Sequence, residues 1–206
     1  MSAVDSTGRP IGLSLDPEIV VMAYCKGYFP MADPETGVIE WYSPDPRAII
    51  PLDGFHVPRS VKRTLRRGVY DLRVDTAFDA VIRACAARHE TWISDEIVRV
   101  YGVLHARGFA HSVEAWYKGE LAGGLYGVAI RGAFFGESMF SRKPDASKVS
   151  LVRLVDLMRT AGFVLLDTQF INEHLKQFGA HEITRDRYLA LLASALRQEA
   201  RLPAAP

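Results

Sequence analysis

Three observations predict an α+β fold for this 206-residue chain. Three apolar segments between Ala110 and Phe140 follow one another with short glycine-containing turns, the pattern of an antiparallel meander. An apolar stripe at helical spacing, Leu151, Leu154, Val155 and Met158, comes next and stops at Gly162. A buried-looking strand, a short helix, a strand and a final helix then complete the order expected of helices packed on a mainly antiparallel sheet.

Along the chain, Met1 to about Leu15 reads as a flexible lead and Pro17 to Tyr28 as a short helix. Pro30, Pro34, Pro44 and Pro46 argue against regular helix in the aromatic stretch that follows. Pro58 near the start and Gly68 past the end bracket a helix carrying Arg59, Lys62, Arg63, Arg66 and Arg67 on one face, with Val61 and Leu65 opposite. Asp71 to Val74 reads as a strand. Asp75 to Arg88 has Phe78, Val81, Ile82 and Cys85 at helical spacing, and Ser94 caps a further helix to Arg107, closed by Gly108. The meander is Ala110 to Tyr117, Leu121 to Ile130 and Ala133 to Phe140, with turns at Lys118-Gly119-Glu120 and Arg131-Gly132. Asp145 opens the striped helix. Then come a strand (Phe163 to Gln169), a helix (Asn172 to Phe178), a strand (His181 to Thr184) and a helix to about Arg201, with 202–206 as a loose tail. The expected division is an N-terminal lobe over 1–69, including the basic helix, and a catalytic domain over 70–201.

With 49% hydrophobic and 24% charged residues, the chain has the composition of a compact protein with one main core. The N-terminal residues lack a signal-peptide core and no apolar run approaches a membrane span, so residence in the cytoplasm and no membrane partner are expected. Cys25 and Cys85 lie sixty positions apart and the six histidines are scattered, which predicts neither a disulfide framework nor a metal. A net charge of +1 gives no overall pull on nucleic acid, so any such attraction must come from the acid-free cluster Arg59 to Arg67. Adjacent like charges repel unless an anion answers them, and a phosphate track accounts for the stripe as well as a solvated face does.

The candidate chemistry lies at the ends of two apolar runs, Phe134 to Arg142 and Phe163 to Gln169. In an extended strand alternate residues share a face, so Asp167 is expected beside Gln169, and Glu137 beside Met139. Polar groups buried in such runs need partners or a ligand; a satisfied structural network and a reaction site both answer that need. The element order matches acyltransferases of the GNAT type. Those present backbone amides to the pyrophosphate of coenzyme A from a glycine-rich loop, whereas Ser141 to Lys148 here has no glycine and contains Pro144. That loop argues against coenzyme A and predicts no cofactor. Arg142, Lys143 and Lys148 leave open another phosphate, such as an acyl donor carried on RNA.

Tyr28-Phe29-Pro30, Trp41 to Arg47, Thr91-Trp92-Ile93, His111 to Glu114, Gly123 to Gly127, Gly136 to Arg142 and Asp167-Thr168-Gln169 together resemble the leucyl/phenylalanyl-tRNA-protein transferase family. The resemblance implies transfer of Leu or Phe, and weakly Met, from aminoacyl-tRNA to the N-terminal amine of proteins beginning with Arg or Lys, feeding N-end-rule degradation. It also implies that Asp167 polarises Gln169, which accepts hydrogen from the attacking amine, with Glu137 close by. Leu125, Phe134, Met139 and Leu154 would form the pocket for the transferred side chain. Tyr42 and Trp92 would meet the terminal adenosine, and the helix with Arg59, Lys62, Arg63, Arg66 and Arg67 the tRNA. Ile11 to Asp16 stands where the family often has a longer lobe with a Gly-Gly-Asp-Leu-Ser segment, which implies a small, reduced N-terminal lobe, and Trp41-Tyr42 stands where it has a Trp pair. A GNAT-type acetyltransferase with an atypical cofactor loop and a noncatalytic RNA-binding module are the alternative readings. The oligomeric state is left open.

Overall fold

The computed structural model describes residues 15–87 and 91–203, so most of the expected lead, Arg88 and the last three tail residues lie outside the described residues. In chain order the elements are α1 (Pro17–Cys25), the hairpin β1 (Phe29–Ala32) and β2 (Ile39–Tyr42), β3 (Arg47–Ile50), α2 (Arg59–Arg66), β4 (Asp71–Val74), α3 (Phe78–Ala86) and α4 (Asp95–Ala106). The meander is β5 (Ala110–Tyr117), β6 (Glu120–Ile130) and β7 (Ala133–Ser141), followed by α5 (Ala146–Ala161), β8 (Leu165–Gln169), α6 (Glu173–Lys176), β9 (His181–Ile183) and α7 (Arg185–Ala195).

Local chemistry accounts for the boundaries. Asp16 accepts from the amides of Glu18 and Ile19 to start α1, with Pro17 in the first turn; Ser94 accepts from the Ile97 amide to start α4. Gly162, at φ +82°, ends α5 in the left-handed conformation that glycine adopts without strain. Lys118 and Gly119 both have positive φ, the requirement of a two-residue turn whose twist suits β5 and β6.

Seven strands form one sheet in the order β4-β5-β6-β7-β8-β3-β9, antiparallel at every step except β7 to β8. One face carries α1, α3, α4 and α7 over Tyr126, Val128, Phe135 and Leu165; the other carries α2, α5 and α6 over Val113, Leu125, Phe134 and Leu166. The expected α+β class therefore holds as a mixed fold with a mostly antiparallel sheet. Among the described residues no helix is long and apolar enough to cross a membrane.

Several expectations are corrected. The proline-rich stretch holds a hairpin and β3, which inserts between β8 and β9, so the sheet draws on residues from both sides of the expected division at 69/70. Pro30 is tolerated because its hairpin has only two strands and leaves edges that need no amide donor. Leu15 and Leu202, expected in the lead and the tail, are both buried, and the Leu15 amide donates to the Glu96 carboxylate. The final helix stops at Ala195, and the expected helix from Asp75 begins only at Phe78. Gly127 packs so tightly that a Cβ there would lie 2.3 Å from the Phe135 carbonyl and 2.4 Å from the Phe134 ring. Gly127→Ala should therefore cost about 1–3 kcal/mol by overpacking; an unchanged denaturation midpoint would contradict that reading.

Candidate active site

The parallel pairing of β7 with β8 runs Ala133↔Leu165, Phe134↔Leu166 and Phe135↔Asp167, and ends there. Beyond that point each strand carries a bulge. On β7, Gly136 pairs with Gly127 and Ser138 with Tyr126, leaving Glu137 as the extra residue. On β8, Asp167 pairs with Ile49 and Gln169 with Ala48, leaving Thr168 extra, and Gln169 has φ +58°. Bulges bend strands and re-aim side chains. A cleft of about 770 Å³ opens where the two strands part, lined by Gly136, Glu137, Ser138 and Met139 on one lip and Thr168, Gln169 and Phe170 on the other.

The bulges also overturn the expected sharing of faces. Glu137 turns to the tyrosines of α1 and α4, whereas Met139 packs with Leu125 on the α5 face. Asp167 faces α7 and does not line the cleft, whereas Gln169 does. Alternation holds only while the ladder is regular, and neither bulge has a sequence signature as plain as a turn glycine.

Of the expected pocket residues, Leu125, Met139 and Leu154 line the cleft together with Leu151 and Leu166. Phe134 is fully buried behind that wall, over Gly127, and is absent from the lining. Trp92 lines the cleft with Phe29 and Met31, which pack with the core on the other face of the sheet from Leu125 and Leu154. Its loop is tied down by the Ala32 amide, which donates to the Trp92 carbonyl at 3.1 Å. Tyr42 does not line the cleft; it stacks on Phe29 at 6.1 Å and donates to Glu40 at 2.7 Å.

Asp167 is wholly buried and fully partnered. Arg47 donates to both carboxylate oxygens, from Nε at 2.9 Å and Nη2 at 2.7 Å, and the Tyr188 hydroxyl donates at 2.8 Å. Arg47 is itself 0% exposed, held between the rings of Phe29 and Tyr188 and donating to the Gly27 carbonyl at 3.1 Å. Burial, followed by the Asp167 charge, pushes the Tyr188 hydroxyl far above its ordinary range, so it remains a donor. Asp167 reaches Gln169 through the backbone, accepting from the Gln169 amide at 2.9 Å, in place of the expected contact with its side chain. Sequence reasoning missed Arg47 and Tyr188. The available signal was an arginine directly before the apolar run Ala48-Ile49-Ile50.

Glu137 accepts from Tyr24 at 2.6 Å and from Tyr101 at 3.3 Å. It keeps some exposure to the cleft, yet loss of water lifts its carboxyl to about 8, against the lowering effect of the Tyr24 bond. Gln169 Nε2, Thr168 Oγ1 and His174 Nε2 are buried, belong to residues lining the cleft and, among the described residues, have no hydrogen-bond partner. Orphaned polar atoms converging on an open cleft mark where a polar ligand would recover lost hydration. Burial is also the first cause lowering the His174 imidazole below its usual value. Buried Glu114, by contrast, is satisfied inside the fold: Ser112, Thr76 and the Thr76 and Ala77 amides all donate to it at the start of α3.

Arg59, Lys62, Arg63, Arg66 and Arg67 are exposed on α2, and among the described residues none of them forms an ion pair. The helix is fixed beside the start of α5, with Val61 buried against it and Thr64 donating to Asp145 at 3.1 Å. α5 supplies Ser147, Leu151 and Leu154 to the cleft, so the helix that packs against the stripe's helix also walls the cleft. The cations between β7 and the first turn of α5 are already engaged: Lys148 pairs with Asp145 at 3.2 Å, Lys143 lies over Tyr117 and Arg142 over Phe140.

Residues 49–193 match the family described as "Leucyl/phenylalanyl-tRNA protein transferase", and residues 14–45 match its N-terminal domain. Proteins named leucyl/phenylalanyl-tRNA–protein transferase are similar over most of the chain. The one from Rubrobacter xylanophilus is 57% identical over 90% of this chain and 97% of its own. That from Herpetosiphon aurantiacus is 56% identical over 89% and 95%, and that from Salinibacter ruber 53% over 88% and 80%. Among solved structures, L-PGS from Bacillus licheniformis is similar at 15% identity and a TM-score of 0.41, covering 77% of this chain and 55% of that one.

Proposed function

The chain belongs to the leucyl/phenylalanyl-tRNA protein transferase family, and from that premise we propose that it moves leucine or phenylalanine, and weakly methionine, from aminoacyl-tRNA to the N-terminal amine of proteins beginning with Arg or Lys. The product would be a substrate for N-end-rule degradation in the cytoplasm. One observation carries this reading: a single cleft joins an apolar wall, Leu125, Met139, Leu151, Leu154 and Leu166, to the side-chain Nε2 of Gln169, unpartnered among the described residues, between two diverging strands. An apolar pocket excludes charged side chains readily but separates residues one methylene apart by only about 1–3 kcal/mol, so Leu and Phe are both accepted.

The aminoacyl ester is already activated and an α-amine with pKa about 8 is partly neutral at cellular pH, so orientation supplies most of the rate. Gln169 offers its amide oxygen to the incoming amine and its free Nε2 hydrogens to the ester oxygen. Asp167, clamped by Arg47 and Tyr188, positions Gln169 through its backbone amide. Trp92, with Phe29 and Met31 nearby, receives the terminal adenosine, while Tyr42 supports that end from behind Phe29. We read the core as GNAT-like, supported by the parallel pair that splays at two bulges inside an otherwise antiparallel sheet. The lobe boundary is proposed near residue 46, consistent with the separate matches over 14–45 and 49–193 and with β3 belonging to the main sheet.

Incubating the protein with labelled Leu-tRNA and Phe-tRNA and acceptors beginning with Arg, Lys, Asp or Glu tests both specificities. Transfer to Arg and Lys only is expected; no transfer from either tRNA overturns the reading. The stripe on α2 is assigned to tRNA phosphates. Replacing Arg66 and Arg67 by Ala should weaken tRNA binding and flatten the plot of log affinity against log salt by roughly 1 to 2. Unchanged affinity and slope would mean the stripe is only a solvated face.

A further inference from the structure

Glu137, Tyr24 and Tyr101 form a closed triangle: Tyr24 and Tyr101 each donate to a different carboxylate oxygen of Glu137, and their hydroxyls also contact one another. When Glu137 is ionised the three contacts share only two hydroxyl protons. A third proton on the carboxyl would give every contact its own donor, so the cluster is complete with one proton more than it then holds. Of the three, Glu137 lines the cleft, on the lip facing Gln169, whereas both tyrosines are fully buried behind it.

Resting on the proposed transfer reaction, we infer that this cluster is its proton acceptor, with Glu137 as the catalytic residue and Tyr24 and Tyr101 as positioning residues that hold the carboxylate toward the cleft. The acceptor α-amine forms a C–N bond to the ester carbonyl carbon as the carbonyl π electrons move onto oxygen. Glu137 takes a proton from the now cationic nitrogen. The carbonyl re-forms, the bond from carbon to the ribose oxygen breaks, and Glu137 returns the proton to that oxygen. An amide and a free tRNA hydroxyl result, and the carboxylate is regenerated with no other reactant.

The electrostatics fit this role. A carboxyl lifted to about 8, first by burial and further by Asp167, is a stronger base toward the cationic nitrogen than an ordinary carboxylate and, once protonated, still an acid able to protonate the departing oxygen. The charged and titratable groups facing it are Tyr24 on α1, Tyr101 on α4, Asp167 on β8 and Arg47 on β3. Both tyrosines are pushed well above their ordinary range, by burial first and then by Glu137, so they stay protonated donors throughout.

The test is the pH dependence of kcat/KM for Phe transfer to an Arg-starting peptide, with tRNA affinity and thermal midpoint measured alongside. Below about pH 7 the wild type must lose a proton from both the amine and Glu137, so log kcat/KM should rise with a slope near two. Glu137→Gln keeps two polar atoms for the tyrosines; it should lower the rate about 10²- to 10⁴-fold and leave a slope near one, with tRNA affinity unchanged. Tyr24→Phe removes a bond that lowers the Glu137 pKa, so the Glu137 limb should move to higher pH. A Glu137→Gln enzyme within threefold of wild type, or one keeping the slope of two, overturns the inference, as does a Tyr24→Phe limb that stays or moves to lower pH. Absence of transfer by the wild type would instead defeat the proposed function itself.

Discussion

Gln169→Ala is expected to lower kcat for transfer from Phe-tRNA by about 10² to 10³, the loss associated with one hydrogen-bonding group aimed at developing charge. Its tRNA affinity should stay within about twofold, because the stripe on α2 and the adenosine end of the cleft are untouched. The Gln169 Nε2 is buried at the lip of the cleft and has no partner among the described residues. An atom left so costs the fold stability, and removing it should leave the protein as stable as before or slightly more so. Activity and stability thus move in different directions in one variant. If transfer survives at near wild-type kcat, Gln169 does not touch the reacting groups. If the thermal midpoint falls by many degrees, its role is structural.

The Arg47–Asp167 pair predicts the largest stability effect. Asp167→Asn leaves the Arg47 guanidinium buried without its counter-charge, and the loss of one partner of such a pair typically costs about 3–5 kcal/mol, or about 6–20 °C in Tm for a chain this long. Arg47→Met should cost a similar amount by stranding the carboxylate. The double variant Arg47→Met with Asp167→Leu should be less destabilised than the sum of the singles, because no unpaired charge remains. Additive losses in this cycle would show that the two side chains do not couple. At a temperature where Asp167→Asn is still folded, kcat should fall while tRNA affinity holds, since the carboxylate fixes the backbone that presents Gln169. That outcome separates a positioning residue from a substrate ligand: an Asp167 that met tRNA directly would alter affinity too.

These two experiments probe opposite sides of one strand, and the side was not readable in advance. Asp167-Thr168-Gln169 was legible as a polar end to an apolar run, and period-two alternation put the acid and the amide together. The bulge at Thr168 and the left-handed φ of Gln169 send the acid to Arg47 and the amide to the cleft. Glu137 was legible in the same way, but its partners Tyr24 and Tyr101 come from helices 113 and 36 residues away in sequence. Phe134 matched the expected pocket by type and family position, yet lies one layer behind its wall.

Sequence by itself determined the meander, the cap residue Ser94, the glycine that ends α5, the basic face of α2, and the family, because each is encoded in periodicity or in short runs of side chains. From the prolines between Tyr28 and Arg47 it excluded only regular helix, since β1, β2 and β3 are each four residues long and β3 is strand because β8 and β9 flank it. Tertiary structure alone decided that Arg47 neutralises Asp167 and that β7 and β8 part at their bulges to open the cleft. The physical reason is range: caps, turns and amphipathic faces act within a few residues. A buried ion pair, a bulge register and a cavity depend on which distant segments the sheet brings side by side.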